Sequence, residues 1–450
     1  MKFFILLMFI IPGVLAINRC LDPDRFDYRC EDDNPTRVDL SDCDLIDEDW
    51  DDISLCLMNS TVAIEELDLN RNGLTALPDG IFDGLTSLEE MDLSKNGLTA
   101  LPDGIFDGLT SLEEMDLSEN GLTALPDGIF DGLTSLMELE LSDNGLTAIP
   151  DGIFDNLTSL QILRLNGNKG IIDLPHGIFD NLTLNVLSLD NSGINFIPTS
   201  FGNLTNIRTI RIVGNNITSL PDGIFDGSTS LQYLDLIDNG LTSLPDGIFD
   251  GLTSLMDLDL SENNITALPD GIFDGLTSLE EMDLSENGLT ALPDGIFDGL
   301  TSLEEMDLSK NGLTALPDGI FDGLTSLMEL DLSENDITTL SNGTFDGLTS
   351  LEEMDLSDNK FTSIESGTLG DLVSLNILYV SPCTPDDIID SSSTYTIFDV
   401  NFRGMDRLDR SYSCPTNPTP SKSGSPESYT YRSTVTIIAF AVCIMANLLV

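Results

Sequence analysis

Between positions 64 and 382 the chain repeats one pattern of apolar and polar residues every 24 residues. One copy, LEEMDLSKNGLTALPDGIFDGLTS, covers positions 88–111, and the next copy begins at Leu112. At its start, apolar Met91 and Leu93 alternate with polar residues, which predicts a short strand with one buried face. A single unit cannot bury its apolar edge alone, so the units are expected to stack against one another.

The frame L-x-x-L-x-L-x-x-N-x-L recurs through about fourteen units, the last of them degenerate, and is the signature of leucine-rich repeats. It predicts an α/β solenoid, a leucine-rich-repeat horseshoe with a parallel sheet on the concave face and irregular or short helical turns on the convex side. Asn96 and its equivalents close the strands and should stack as a ladder. Phe82, Phe106 and their equivalents predict an aromatic spine on the outer side.

Cysteines lie at both ends of the repeat region, which predicts disulfide-containing caps at 17–63 and 383–414, either side of the 64–382 solenoid. An even number of cysteines is typical of a protein made in an oxidising compartment. Three pairings of the first four cysteines remain open, and the fifth falls where the last unit would carry its ladder asparagine. The six are Cys20, Cys30, Cys43, Cys56, Cys383 and Cys414, and the seventh cysteine of the chain, Cys443, lies in the apolar C-terminal tail.

The two ends of the chain have the composition of targeting signals. Residues 1–16 combine Lys2, an apolar stretch and small residues before the cut, as a secretory signal peptide does. Residues 415–425 are rich in Pro, Ser and Thr and predict a stalk. The apolar tail within 426–450 has no basic residue after it, which favours a GPI-attachment signal, removed on maturation, with Ser423 as the anchor. A retained C-terminal membrane helix is the alternative.

Signal peptide, cysteine-rich cap, LPDGIFDGLTSL repeats, second cap, stalk and apolar tail together resemble the variable lymphocyte receptors of jawless vertebrates. More broadly, the chain is similar to the extracellular repeats of Toll-like and Slit-type proteins. The resemblance implies ligand recognition on the concave sheet. It differs in the C-terminal cap, which has two cysteines where that family usually has four, and in its many near-identical units. Only the fold and architecture are therefore carried over, without an immune role.

Charge narrows the choice of partners. The chain has 78 acidic and 18 basic residues, a net charge of -60, which excludes nucleic acid because both would be polyanions. Glu90, Glu114 and Glu138 occupy equivalent strand positions and predict a ladder of like charges, each pair repelling by about 0.9 kcal/mol in water. Weak, diffuse calcium binding could relieve that repulsion, or the face is simply solvated. No specific metal site and no cofactor are expected, because no calcium-loop motif occurs.

The sequence does not predict an enzyme. Its single histidine, His176, occupies a position where other units have aspartate, and no G-x-S-x-G motif occurs. Seven N-glycosylation sequons avoid the strand positions, so glycans would coat the sides and back and leave the concave sheet bare. The sequons are at Asn59, Asn156, Asn181, Asn203, Asn216, Asn264 and Asn342.

Four consecutive units depart from the acidic pattern and supply the candidate ligand site. Here the repeat also gains a residue near Lys169, loses one before Phe201 and replaces a ladder asparagine with Ser192. Arginine, tyrosine and exposed aliphatics are what interface hot spots favour, although older, unduplicated units would also look different. The candidate residues are Ile162, Arg164, Asn166, Ser188, Thr209, Arg211, Val213, Tyr233 and Ile237.

Two functions are consistent with these features. In the first, a membrane-anchored surface protein recognises an extracellular protein or glycan ligand through its concave face. In the second, an acidic coat or matrix protein binds divalent cations diffusely. A recognition protein should have a locally distinct surface patch, whereas a coat protein should be uniform.

Overall fold

A computed structural model describes residues 36–59, 63–365, 367–380 and 396–398. Sixteen strands form one parallel sheet in chain order, and a separate pair, β14 and β16, forms a small second sheet. The strands are β1 (Arg37–Asp39), β2 (Glu66–Asp68), β3 (Glu90–Asp92), β4 (Glu114–Asp116), β5 (Glu138–Glu140), β6 (Ile162–Arg164), β7 (Val186–Ser188), β8 (Thr209–Arg211), β9 (Tyr233–Asp235), β10 (Asp257–Asp259), β11 (Glu281–Asp283), β12 (Glu305–Asp307), β13 (Glu329–Asp331), β14 (Thr339–Leu340), β15 (Glu353–Asp355), β16 (Ser363–Ile364), β17 (Ile377–Tyr379) and β18 (Thr396–Phe398).

The predicted leucine-rich-repeat solenoid is confirmed. Each unit contributes a strand of three residues whose central side chain, such as Met91 in β3, is buried while its two neighbours face outward. Neighbouring strands pair without a shift, so that Glu90 lies opposite Glu114 and Asp92 lies opposite Asp116. Equivalent positions of successive units therefore form rows across the whole sheet.

The predicted asparagine ladder is also present. The Asn96 side-chain amide donates to the carbonyl oxygens of Leu69 and Leu93 at 3.0 and 3.1 Å. Its Oδ1 accepts the Leu74 backbone N–H at 3.2 Å. One side chain thus satisfies backbone groups of its own unit and of the preceding unit, at the point where the chain leaves the sheet and its backbone would otherwise lose partners.

The outer side consists largely of turns, with a 3-10 helix at Thr199–Asn203. A row of buried phenylalanines runs along it, and stacked neighbours such as Phe273 and Phe297 have ring centroids 6.2 Å apart. Strands in a sheet are about 4.8 Å apart. Each unit is therefore wider on the phenylalanine side, which places the sheet on the inner, concave side of the repeat curve.

Both caps add a strand to the sheet. In the N-terminal cap, β1 pairs with β2, and a 3-10 helix (Asp47–Asp49) leads into the helix α1 (Trp50–Asn59). The buried Trp50 indole donates to the Ala76 carbonyl oxygen at 2.9 Å, which ties α1 to the first repeat. In the C-terminal cap, β18 pairs with β17.

The structure tests the predicted disulfides of the caps only in part. Cys43 is disulfide-bonded, but its partner and the other cap cysteine sulfurs lie outside the described residues, so the pairing stays a prediction. The signal peptide, stalk, Ser423 and apolar tail also lie outside them. Among the helices of the described ranges, none has the length and apolar character needed to cross a membrane.

Candidate functional site

Two acidic stretches occupy the concave sheet on either side of a less charged centre. On β3 and β4, and again on β10 to β13, both outward positions of every strand carry a carboxylate. Because the strands pair in register, these carboxylates stand in two parallel rows. Like charges at this spacing repel, so the rows have an electrostatic cost.

One row of carboxylates has a structural role that the repeat pattern did not reveal. Asp283 Oδ1 accepts the backbone N–H of Ser285 at 2.7 Å, and Asp92 accepts that of Ser94 at 2.8 Å. The aspartate closes the turn at the end of its strand, as Asp side chains commonly do. In the units that carry this aspartate, the negative charge therefore accompanies a turn of the backbone.

The largest pKa shifts on the concave face belong to carboxylates of β10 to β13. Burial, with repulsion from Glu281 and Asp235, raises the pKa of Asp257 to about 7. Burial, with repulsion from Asp307, likewise raises the pKa of Asp331 to about 7. Within these four strands no outward side chain is basic, so this part of the face holds its charges without an intrachain cation in the sheet.

Arginines neutralise the other parts of the rows. Arg164 pairs through Nη1 with Glu138 at 2.7 Å and also with Glu140. Arg211 pairs through Nε with Asp190 at 3.2 Å and through Nη1 with Asp235 at 2.9 Å. Arg164 therefore pairs with two carboxylates of the preceding unit, whereas Arg211 pairs with one carboxylate on each side of its own unit.

Arg37 also pairs with a carboxylate of the next strand at the N-terminal end, where it contacts Glu66 on β2 at 3.2 Å. Between this arginine and Arg164 lies an acidic groove of about 370 Å³ on the face of β2 to β5. Eight of the twelve residues that line it are aspartates or glutamates, which makes it unsuited to an anionic ligand.

The structure brings all nine candidate residues together on β6 to β9 and the turns that follow them. The first outward positions form an uncharged row of Ile162, Val186, Thr209 and Tyr233, opposite one another in register. All four side chains are half-buried. This row is the part of the patch that can offer apolar contact to a ligand.

Several candidates are already engaged within the protein. Ser188 is buried and donates to the Asn166 side chain at 2.8 Å, and Asn166 also accepts the Asp190 N–H at 2.8 Å. Arg164 and Arg211 hold carboxylates, as described above. Sequence spacing alone could have suggested the Arg164 pair, because Arg164 lies directly opposite Glu140 in the sheet.

The irregular units are accommodated without loss of the sheet. Ser192 Oγ donates to the Leu165 carbonyl oxygen at 3.0 Å and so replaces one bond of the asparagine ladder. The shorter side chain does not reach Ile171, whose N–H donates instead to the Asn168 carbonyl oxygen at 3.0 Å. On the outer side, Phe179 and Phe201 meet edge to face rather than stacked, with centroids 5.0 Å apart.

A second uncharged site on the face was missed by the sequence interpretation. On β17 the outward residues are Ile377 and Tyr379, beside Glu353 and Asp355 of β15. Burial, followed by the nearby Glu353 carboxylate, raises the pKa of the Tyr379 phenol. The register of this unit could be inferred from Cys383 at the ladder position, but the sequence interpretation considered only the four irregular units as a ligand site.

The sequons lie away from the concave face where the structure describes them. Six of the asparagine side chains are exposed, and the side chain of Asn59, the last residue of α1, lies outside the described residues. The six are Asn156, Asn181, Asn203, Asn216, Asn264 and Asn342.

Within the described ranges, no three His, Cys, Asp or Glu side chains are grouped so that they could hold a metal ion. His176 packs against Phe196 with ring centroids 6.3 Å apart. The carboxylates stand in rows instead of converging, so a cation would meet them only diffusely.

Comparisons with known proteins agree with this architecture. The leucine rich repeat family pattern matches residues 63–122, 111–169, 205–265, 229–289, 253–313, 277–337, 301–361 and 327–383, which together cover more than half of the chain. The stretch between 169 and 205, where the irregular units lie, is not matched. No curated protein matches the chain.

Solved structures share the fold at low identity. A leucine-rich-repeat protein of Leptospira interrogans has 27% identity and a TM-score of 0.61, covering 78% of this chain and 86% of that one. The Drosophila Toll–Spatzle complex has 23% identity and a TM-score of 0.61, covering 77% of this chain and 50% of that one. An internalin of Listeria monocytogenes has 21% identity and a TM-score of 0.55, covering 72% and 87%. The narrower resemblance to variable lymphocyte receptors stays a prediction.

Proposed function

Because the chain belongs to the leucine-rich-repeat family, we propose that it is a secreted, GPI-anchored recognition protein that binds an extracellular protein or glycan ligand on its concave face. Members of this family generally mediate protein binding and are typically not enzymes. The observation that carries the proposal is the uncharged row on β6 to β9, which lies between two acidic stretches of the sheet. Of the two ligand classes, the apolar character of the row favours a protein.

The exposed sequons support the same face. Glycans at six described sites would cover the sides and the outer surface but leave the sheet accessible. A coat protein that binds cations diffusely would need neither the bare face nor the distinct patch. The two arginines of the patch also distinguish it, since they remove local charge that a uniform cation-binding surface would keep.

A double substitution tests the ligand site. Changing Ile162 and Tyr233 together to Glu is expected to weaken ligand binding at least about tenfold, because each introduces a charge into a desolvated contact. The ligand would first be found by screening the purified protein against arrayed extracellular proteins and glycans, with and without calcium. Arg164 is left in place because its removal would unpair Glu138 and Glu140.

The matched control places the same two new charges on the exposed flank, at Thr99 and Thr290. That variant should bind like the unchanged protein, and circular dichroism should show both variants folded. Equal binding by the patch variant and the control would remove the concave patch as the ligand site.

The anchor is tested separately. Phosphatidylinositol-specific phospholipase is expected to release the protein from the cell surface, because the small residues around Ser423, a polar spacer and an apolar stretch follow one another as in a GPI-attachment signal. Release is measured by immunoblot of the medium. Detection of Val450 in mature, phospholipase-resistant protein would instead establish a retained helix.

A further inference from the structure

The uncharged row has a defined length. Ile162, Val186, Thr209 and Tyr233 lie on four adjacent strands in register. At about 4.8 Å per strand, the row extends about 14 Å across the sheet. A ligand that uses it must therefore run across the strands, along the solenoid.

The arginines set the charge of the row and are occupied in doing so. Within β6 to β9 and their turns, Arg164 and Arg211 balance the charges of Asp190 and Asp235. Arg211 contacts both of these aspartates, and Arg164 reaches back to Glu140 on β5. The two arginines position carboxylates. The uncharged row is therefore the surface that can contact a ligand.

Acidic strands lie on both sides of the uncharged row. Towards the N-terminus stands Glu114 on β4, whose pKa is raised by burial and by the neighbouring Glu90 and Glu138 carboxylates. Towards the C-terminus stands Asp257 on β10, which lies next to Glu281 in the same row. A cation reaching either stretch would relieve repulsion that the folded protein otherwise retains.

Resting on the proposed function, we propose that the ligand is a protein segment with an uncharged, apolar centre and basic side chains at both ends. The centre packs on the row from Ile162 to Tyr233, and the basic ends reach the carboxylates of β4 and β10. These strands are about 29 Å apart, the length of about nine extended residues. Apolar contact supplies the core of the interface, and the charge match supplies orientation and rejects acidic segments.

Three synthetic peptides of this length test the chemistry, with affinity to the purified full-length protein measured by fluorescence anisotropy. The first has two arginines at each end of an apolar centre. The second has the same composition with the four arginines together in the middle, and the third has glutamates at its ends. The first peptide is expected to bind at least about tenfold more tightly than the second, and the third should not bind.

Two protein variants locate the contacts. Tyr233→Ala is expected to weaken the first peptide about tenfold, as is the pair Asp257→Asn with Glu281→Gln. The matched control, Asp331→Asn with Glu329→Gln, removes the same residue types from β13, two strands beyond Glu281 in chain order and outside the span of the peptide. It should change the affinity less than about twofold.

Equal binding of the first two peptides, equal losses in the two acidic variants, or no binding by any peptide would overturn the inference. The proposed function would survive these results if a screened protein ligand still lost affinity in the Ile162 and Tyr233 double variant. It would fail together with the inference only if no ligand were sensitive to that variant.

Discussion

Raising the pH from about 5 to about 8 is expected to lower the melting temperature of the solenoid by at least about 5 °C. Burial and neighbouring carboxylates raise the pKa of Asp257 and of Asp331 to about 7, whereas an unfolded Asp titrates near about 3.9. Between those values the folded state binds more protons than the unfolded state. The stability contributed by these groups is thus complete below the unfolded pKa and is lost as the pH rises through the folded pKa.

The size of the expected fall in melting temperature follows from the difference between the folded and unfolded pKa values. Each pKa unit that survives screening by solvent is worth about 1.4 kcal/mol of unfolding free energy. Differential scanning calorimetry of the double variant Asp257→Asn with Asp331→Asn should show a weaker pH dependence and a higher melting temperature at pH 8 or so. As a control, Asp250→Asn with Asp322→Asn changes two exposed aspartates on the outer side and should leave the dependence unchanged. A melting temperature that is flat or rises across this range would contradict the electrostatic description of the face.

Replacing Phe297 with Ala is expected to cost about 3–5 kcal/mol of unfolding free energy. The ring is fully buried and stacks between Phe273 and Phe321, at centroid distances of 6.2 and 6.3 Å. Its loss would leave a cavity in the outer layer of the core and remove two aromatic contacts. Urea unfolding followed by circular dichroism measures the change.

Phe196→Ala serves as the comparison, because Phe196 is 36% exposed and stands outside the phenylalanine row. It should cost under about 1 kcal/mol, and Phe297→Leu, which fills most of the space, should fall between the two. Similar losses for Phe297→Ala and Phe196→Ala would mean that the buried row does not carry the stability assigned to it.

The repeat predicted the fold because the units carry the same types of residue at the same positions of the 24-residue period. The alternation around Met91, the ladder position of Asn96 and the buried Phe106 all follow from the 24-residue period and appear in the structure as expected. The short strands that the pattern predicted are three residues long.

The candidate site could be predicted only in part. The sequence located the uncharged positions of Ile162, Thr209 and Tyr233, because outward strand positions are fixed by the period. The 24-residue spacing placed Arg164 opposite Glu140 and Arg211 opposite Asp235. It could not show the further contacts with Glu138 and Asp190, since these depend on side-chain conformations in neighbouring units. Burial of Ser188 escaped notice for the same reason.

The irregular units near Ser192 have a consequence for how the array comes apart. In a stack where each unit contacts only its neighbours, cooperativity depends on the weakest interface. Here a serine stands in for a ladder asparagine, and Phe179 and Phe201 break the stacked order of rings. We expect the interface at these irregular units to be the weakest of the array, so that the blocks of units on either side of it lose structure in separate steps. The proposed ligand would contact units on both sides of this interface and so couple the unfolding of the two blocks.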